Sequence, residues 1–438
     1  MPLENSRKHH TTILRCALLA ITLLLAVPAF AFPIRMALAP DNNQAVLNSV
    51  LNSATRELII NIYQFESPEI AAVIISKIKS GVTVRLLVEG EPLGSISPNG
   101  KKLLSAIAGA IRASGNPDSR LAMMTRSKNN TRRFRFNHAK YVISDRRYVL
   151  ISSENFTATG HPVAGQIGNR GWDVVMDNSS LAEDLMQVFR SDADARNGDV
   201  LLVRSNARVL PPATTKGPRR AQAIPDAYGN AASVRLVASP RSLDEIVSLI
   251  RSARVRIDVE KMSLPASWRS PVRRENPIVT ELIRAAQRGV DVRVLLNDDT
   301  VFGGGEPDDS KGNAATVALL RQVAKAERLP ISARTVNVRR ADISYIHNKG
   351  ILVDGEQAFV SSINGTQNSV ENNREIAVVL RSPDAAKYYG YAFEFDWRAS
   401  APTSTYGTRP ANGLVHDFSS FFTLSAMWNS RENQNSPY

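Results

Sequence analysis

The chain has 438 residues, 43% of them hydrophobic and 22% charged, a formal charge of +13 and one cysteine, Cys16. That composition supports a large core or two domains. It excludes a disulfide-built scaffold, and beyond the N-terminal segment it excludes a cysteine-ligated zinc site. The positive excess favours anionic partners, phospholipid head groups or nucleic acid, without choosing between them.

Arg7, Lys8 and Arg15 accompany an uncharged apolar run from Cys16 to Ala31 that ends Ala29-Phe30-Ala31. A basic start, a short apolar stretch and a small-x-small ending are the order of a secretory signal peptide. Residues 1–31 are therefore expected to be cleaved and the protein to be secreted or periplasmic. The alternative is a membrane anchor, for which the run is short, since a span needs about 20 residues. Loss of Arg7, Lys8, Arg15 and Glu4 would take the net charge from +13 to +11.

Residues 56–63 are apolar and β-prone, residues 67–79 have helical spacing, and residues 81–88 read as a second strand. The succession returns at residues 254–260, 277–288 and 289–296. Gly81-Val-Thr-Val-Arg85 and Gly289-Val-Asp-Val-Arg293 are near-copies 208 residues apart. Phe189-x-x-Asp192 and Phe393-x-x-Asp396 close the two halves. Each half thus reads as strand-helix-strand units, and the fold class is α/β. The expected boundaries are a first domain at 32–205, a linker at 206–232 containing Pro and Gly, a second domain at 233–400 and a polar tail at 401–438. The tail's apolar patch, 418–428, is expected to pack on the body.

Two of the histidines share a pattern. His138-Ala-Lys140 runs on to Asp145, and His347-Asn-Lys349 runs on to Asp354, with identical H-x-K-x4-D spacing and 209 residues between copies. In extended backbone His and Lys point to one face, and Asp falls at the turn that closes the strand. Both copies continue in step, to Ser153-Glu-Asn155 and to Ser362-Ile-Asn364.

This doubled pattern resembles the phospholipase D superfamily over residues 40–400. The family usually has Gly where Ser152 and Ser361 stand. The resemblance implies two similar α/β/α sandwich domains related by a pseudo-two-fold, with one active site at their interface, no metal and no cofactor. It also implies His138 as nucleophile and His347 as acid, and it places the carboxylate that orients an imidazole at Glu375. The aligned residue of the first half is Gly171, so Asp173, two residues on, is the expected substitute.

The chemistry agrees. A phosphodiester repels nucleophiles and expels its alcohol poorly, so a site needs cationic donors, a nucleophile and an acid. Two imidazoles supply attack and proton donation. Lys140, Lys349, Asn155 and Asn364 would hold the phosphoryl oxygens, with hydroxyl contacts from Ser153 and Ser362. Asp145 and Asp354 are candidates for a catalytic part or for plain turn residues. His161 and His416 read as structural.

Arg126, Lys128, Arg132, Arg133 and Arg135 lie just before the first motif and read either as a solvated loop or as phosphate steering. Trp268 with Arg269, Arg273 and Arg274 reads as a rim that meets lipid or bases, or as ordinary surface. Gly303-Gly-Gly305 reads as a flexible entrance loop. The expected function is a monomeric phospholipase D-type hydrolase or transferase acting on phosphatidyl diesters such as phosphatidylcholine, touching membrane transiently. A secreted nuclease and an inactive anionic-lipid-binding module are the rivals.

Overall fold

The computed structural model describes residues 31–207, 220, 223–268, 272, 274–301 and 312–402. Residues 1–30 of the expected leader, most of the linker, Arg269, Arg273, the glycine run at 303–305, His416 and the apolar patch at 418–428 lie outside them.

The first half contributes β1 (Phe32–Ala39), α1 (Asn43–Ser53), β2 (Glu57–Ile62), α2 (Pro68–Lys79), β3 (Thr83–Glu89), α3 (Pro98–Ser114), β4 (Arg120–Met124), β5 (Tyr141–Ser144), β6 (Tyr148–Ser152), β7 (Gly171–Asp177), α4 (Ser179–Asp192), β8 (Val200–Leu202) and β9 (Ala227–Ala231). The second contributes β10 (Ser233–Ser239), α5 (Leu243–Ser252), β11 (Arg256–Lys261), β12 (Ser267–Trp268), β13 (Arg274–Glu275), α6 (Pro277–Gln287), β14 (Asp291–Leu296), α7 (Asn313–Glu327), β15 (Ile331–Thr335), α8 (Val338–Ala341), β16 (Lys349–Val353), β17 (Gln357–Ser361), β18 (Glu375–Arg381) and α9 (Pro383–Ala399). The strand-helix-strand units expected from sequence form in both halves. α2 and α6 start alike, each with Pro in the first turn and a capping side chain, Ser67 Oγ or Asn276 Oδ1, accepting a backbone N–H.

One sheet runs β8-β4-β3-β2-β5-β6-β7-β1-β9, the other β10-β18-β17-β16-β11-β14-β15. Their seven-strand cores have the same order. Three parallel strands (β4-β3-β2, β15-β14-β11) are followed by four antiparallel ones. The span read as linker ends in structure. β9 pairs with β1 of the first sheet, and one residue later the chain enters β10 of the second.

Alternation along the strands splits the apolar residues into layers. Val149, Ile151, Trp172, Val174 and Met176 join a central core with Leu352, Val360, Ile376 and Val378 of the other half. Leu150 and Val175 turn instead to the outer core under α1–α3, and Val259 and Ile351 to the outer core under α5–α7. Each such side chain contributes about 1.5–3 kcal/mol on burial. Trp172 stacks on Tyr389 of the other half with centroids 4.6 Å apart. Its ring lies where a Cβ at Gly350 would be, so β16 passes under the indole only as glycine.

The two motif aspartates sit in matching hairpin turns. Asp145 and Arg146 have φ of 51° and 56°, and Asp354 and Gly355 have φ of 55° and 68°. Two consecutive left-handed residues are the turn that suits strand twist. Asp145 accepts the backbone N–H groups of Thr55, Arg56 and Glu57 and the Thr55 hydroxyl, at 2.7–2.9 Å. Asp354 accepts those of Arg254, Val255 and Arg256 at 2.8–2.9 Å. Each aspartate ties its hairpin to the start of the neighbouring parallel strand, at the end of the sheet remote from the imidazoles. Neither touches His or Lys of its motif, which corrects the reading of Asp145 and Asp354 as catalytic.

Candidate active site between the halves

Each histidine precedes a strand and is pinned by backbone from the opposite half. The His138 N–H donates to the Arg374 carbonyl at 2.8 Å, and the Arg374 N–H donates to the Phe136 carbonyl at 2.9 Å. The His347 N–H donates to the Arg170 carbonyl at 2.9 Å, and the Arg170 N–H to the Tyr345 carbonyl at 2.8 Å. The Asn169-Arg170 and Asn373-Arg374 pairs thus act as straps, each laid across the other half's motif. Their guanidinium groups are clamped by the helix-end acids of the half they lie on. Arg170 Nε is 2.6 Å from Asp396, and Arg374 Nε is 2.8 Å from Asp192. Arg170 also binds Asp41 at 2.9 Å and is wholly buried. This gives the Phe-x-x-Asp repeat its reason.

The straps deliver carboxylates to the rings. Glu375, next to Arg374, accepts His138 Nδ1 at 2.8 Å and the Ser362 hydroxyl at 2.6 Å on one oxygen, and Asn373 Nδ2 at 3.0 Å on the other. The first half departs from expectation. His347 Nδ1 lies 3.1 Å from Oε2 of Glu154, which also accepts Asn169 Nδ2 at 2.9 Å. Asp173 is elsewhere. It accepts the Ser152 hydroxyl at 2.6 Å and sits 3.5 Å from His161 Nε2, so its assignment as the partner of an active-site ring is corrected to Glu154. On a strand, two residues past the aligned position points to the same face but about 6–7 Å farther along.

Burial sets the protonation states. It lowers the pKa of His138 to about 4, with Glu375 opposing and Lys140 and Lys349 reinforcing. It lowers His347 to about 4 as well, reinforced by Lys349 and Lys140 and opposed by Glu154. Lys140 falls to about 7 through burial, offset in part by Glu375 and Glu154, and Lys349 falls well below its usual value. Each lysine therefore acts on the imidazole of the other half, as charges gathered at one place do. Burial raises Glu375 and Glu154, but His138 and Lys140 outweigh it at the first, and His347 and Lys349 at the second, so both are lowered. Ionised carboxylates behind neutral rings and lysines short of their normal basicity make a site that an incoming anion would complete. With Nδ1–H donated to Glu375, the Nε2 lone pair of His138 is free for attack.

Lys140 Nζ donates to the His138 carbonyl at 2.7 Å and lies over the Tyr63 ring. Lys349 Nζ donates to the His347 carbonyl and lies 3.7 Å from Met262 Sδ. An ammonium has three donors, so both retain capacity for an anion. Ser153 and Ser362 do not face a substrate. Both are fully buried, with their hydroxyl oxygens accepting the Trp172 and Ile376 N–H groups, which corrects their reading as phosphate ligands. Asn155 and Asn364 follow them at the imidazole end of each sheet, each with a buried amide oxygen that has no partner among the described residues.

Of the cations before the first motif, Arg126 pairs with Glu91, Arg132 with Glu89 and Glu91, and Arg133 with Asp199, while Arg135 donates to Asn368 at 3.3 Å. Trp268 is buried, its indole N–H donating to Gly365 and Arg274 covering its ring, so it meets neither lipid nor bases. Sequence reasoning missed Glu154 and Lys261. Lys261 is a buried lysine that donates to the Lys349 and Ile363 carbonyls at 3.0 and 3.1 Å, and burial lowers its pKa to about 7. The aligned residue of the other half is Ile62. The adjacent charges Glu260 and Lys261, at the end of a strand followed by no turn signal, were the available signal.

A family model described as cardiolipin synthase, PLD-like domain, matches residues 47–193 and 246–397, more than half the chain. The chain belongs to the phospholipase D superfamily. It is 27% identical over 118 residues to mitochondrial cardiolipin hydrolase of Mus musculus, covering 27% of this chain and 44% of that protein. It is 26% identical over 152 residues to phospholipase D Y of Dictyostelium discoideum, covering 34% and 30%. It thus spans less than half the length of these curated relatives. Among solved structures, phosphatidylserine synthase of Haemophilus influenzae Rd KW20 superposes with a TM-score of 0.57 at 13% identity, over 84% of this chain and 87% of that one. Polyphosphate kinase of Porphyromonas gingivalis gives 0.50 at 15% identity, over 91% and 56%. At such identities these likenesses speak for the fold alone, and they agree with the paired-sheet architecture.

Proposed function

We propose that this phospholipase D superfamily phosphodiesterase acts on phosphatidyl diesters, such as phosphatidylcholine, through a phosphohistidine intermediate. The carrying observation is the pair of imidazole–carboxylate units, one contributed across each strap, with a buried lysine beside each ring. His138 Nε2 attacks phosphorus, and the bond to the head-group oxygen breaks as His347, protonated in the complex, gives that oxygen its proton. His347 then takes a proton from water or an alcohol, which attacks the phosphohistidine and frees His138. His138 suits attack, being the more exposed ring, 13% against 6% for His347, with the aligned hydrogen bond behind it.

Lipid is favoured over nucleic acid by the loops at the imidazole end. Leu93 follows β3, Val163 lies between β6 and β7, and Val301 follows β14, and these aliphatic side chains are exposed. The neighbouring arginines that would track a polynucleotide are largely neutralised by ion pairs. Export with cleavage near Ala31 is part of the proposal, as is action as a monomer without a metal. The test is turnover of phosphatidylcholine and cardiolipin vesicles beside single- and double-stranded DNA, all in EDTA, with ethanol added to trap phosphatidylethanol. Cleavage of DNA alone would replace the lipid reading by the nuclease one. Loss of activity in EDTA would overturn the metal-free route.

A further inference from the structure

We propose that Glu154 is the positioning carboxylate of His347, displaced from the strand position that Glu375 holds in the other half to the turn after β6, and that Gly171 is the space it needs. The inference deepens the phosphodiesterase reading and rests on it. Positions 171 and 375 each follow an Asn-Arg strap, and positions 154 and 363 each lie between the Ser and Asn that follow the motif. One half pairs Gly171 with Glu154, the other Glu375 with Ile363. A Cβ at Gly171 would strike Oε1 of Glu154 and Oγ of Ser153. The backbone there is not left-handed, so the glycine is required for space and not for conformation.

A second observation is independent. The strap asparagine donates its amide to the carboxylate in both halves, Asn373 to Glu375 at 3.0 Å and Asn169 to Glu154 at 2.9 Å. The asparagine has kept its partner although the partner has changed its place in the chain. Glu154 is wholly buried, and a buried carboxylate is costly unless it is paired. Burial would raise its pKa, but its neighbours His347 and Lys349 favour the ionised form and lower it.

The test uses the full chain and phosphatidylcholine vesicles, a diester whose alkoxide leaving group needs the His347 proton. Glu154→Gln keeps the shape and removes the charge. It should lower kcat by about 10- to 100-fold with KM little changed, the usual range for a group that orients another. In ¹⁵N spectra His347 should lose its single tautomer while His138 keeps its own. The double variant Glu154→Ile/Gly171→Glu copies the second half and should recover most of the lost kcat. Glu154→Gln with wild-type kcat and an unchanged His347 tautomer would overturn the proposal. A folded double variant as slow as Glu154→Gln would overturn the equivalence of the two positions, and should it not fold, the Glu154→Gln pair of readouts decides. Should the wild type not cleave this diester, the phosphatidylcholine reading fails, and the His347 tautomer still decides the role of Glu154.

Discussion

The two halves share a strand order, a motif and a strap, yet they fasten their histidines differently. In one, Glu375 projects from a strand and is held by Ser362 and Asn373 while it binds His138. In the other, Glu154 projects from a turn, has Asn169 as its one neutral side-chain donor among the described residues, and meets His347 at 3.1 Å. The clamps differ as well: Arg170 is fully buried between Asp41 and Asp396, whereas Arg374 is 16% exposed and answers to Asp192. A duplicated architecture therefore fixes where charges must be, while the residue that supplies each charge can move.

The comparison can be broken most severely at the rings. His138→Ala should lower turnover by about 10⁴-fold or more with unchanged circular dichroism. His347→Ala should be spared in part on a p-nitrophenyl ester, whose leaving group needs little help from an acid. Equal losses on alkyl and nitrophenyl esters for both variants would dissolve the division of roles. Next come the clamps. Arg170→Ala leaves the buried Asp396 without its cation and Asp41 with Arg220 alone, and should cost about 3–5 kcal/mol in urea unfolding. Arg374→Ala should cost less, about 1–3 kcal/mol, because water reaches it and one acid is involved. A reversed order would show that the asymmetry of burial has no energetic weight.

Proton linkage gives a third measure. The unfolded chain binds a proton at each ring below pH 6.5, whereas the folded rings do so only near 4. Stability should therefore fall as pH drops from 6.5 to 4, by up to about 3 kcal/mol per ring. A flat stability profile over that window, in wild type compared with His138→Asn/His347→Asn, would show that the rings are not held neutral. The smallest effect is expected at the hairpins. Asp145→Ala and Asp354→Ala should each cost about 1–2 kcal/mol while activity per folded molecule stays near wild type. A large loss of kcat in either would return the motif aspartates to the chemistry.

Much of this was legible in the sequence because the repeat is local. The near-copies at Gly81 and Gly289 and the H-x-K-x4-D phrases each span one short strand and the turns that bound it, where side-chain direction follows from spacing. The same logic placed Asp145 and Asp354 a strand's length from Lys140 and Lys349, and that geometric signal against catalysis was available. The serines misled because hydroxyls beside a motif suit a phosphate as well as they suit a strand N–H, and only the paired sheets show that Trp172 and Ile376 occupy them. Glu154 was beyond alignment. Its part depends on a turn folding back over Gly171, and a glycine announces only an absence. Asp192 and Asp396 were visible as a repeat, but their work is done across the seam.

The reciprocal straps carry one more consequence. Since each ring is seated by main chain from the opposite half, neither half can finish its own chemistry alone. A nick in the connecting segment should leave two fragments that copurify and stay competent. Loosening either strap should silence both rings together, so catalysis doubles as a gauge of whether the molecule is closed.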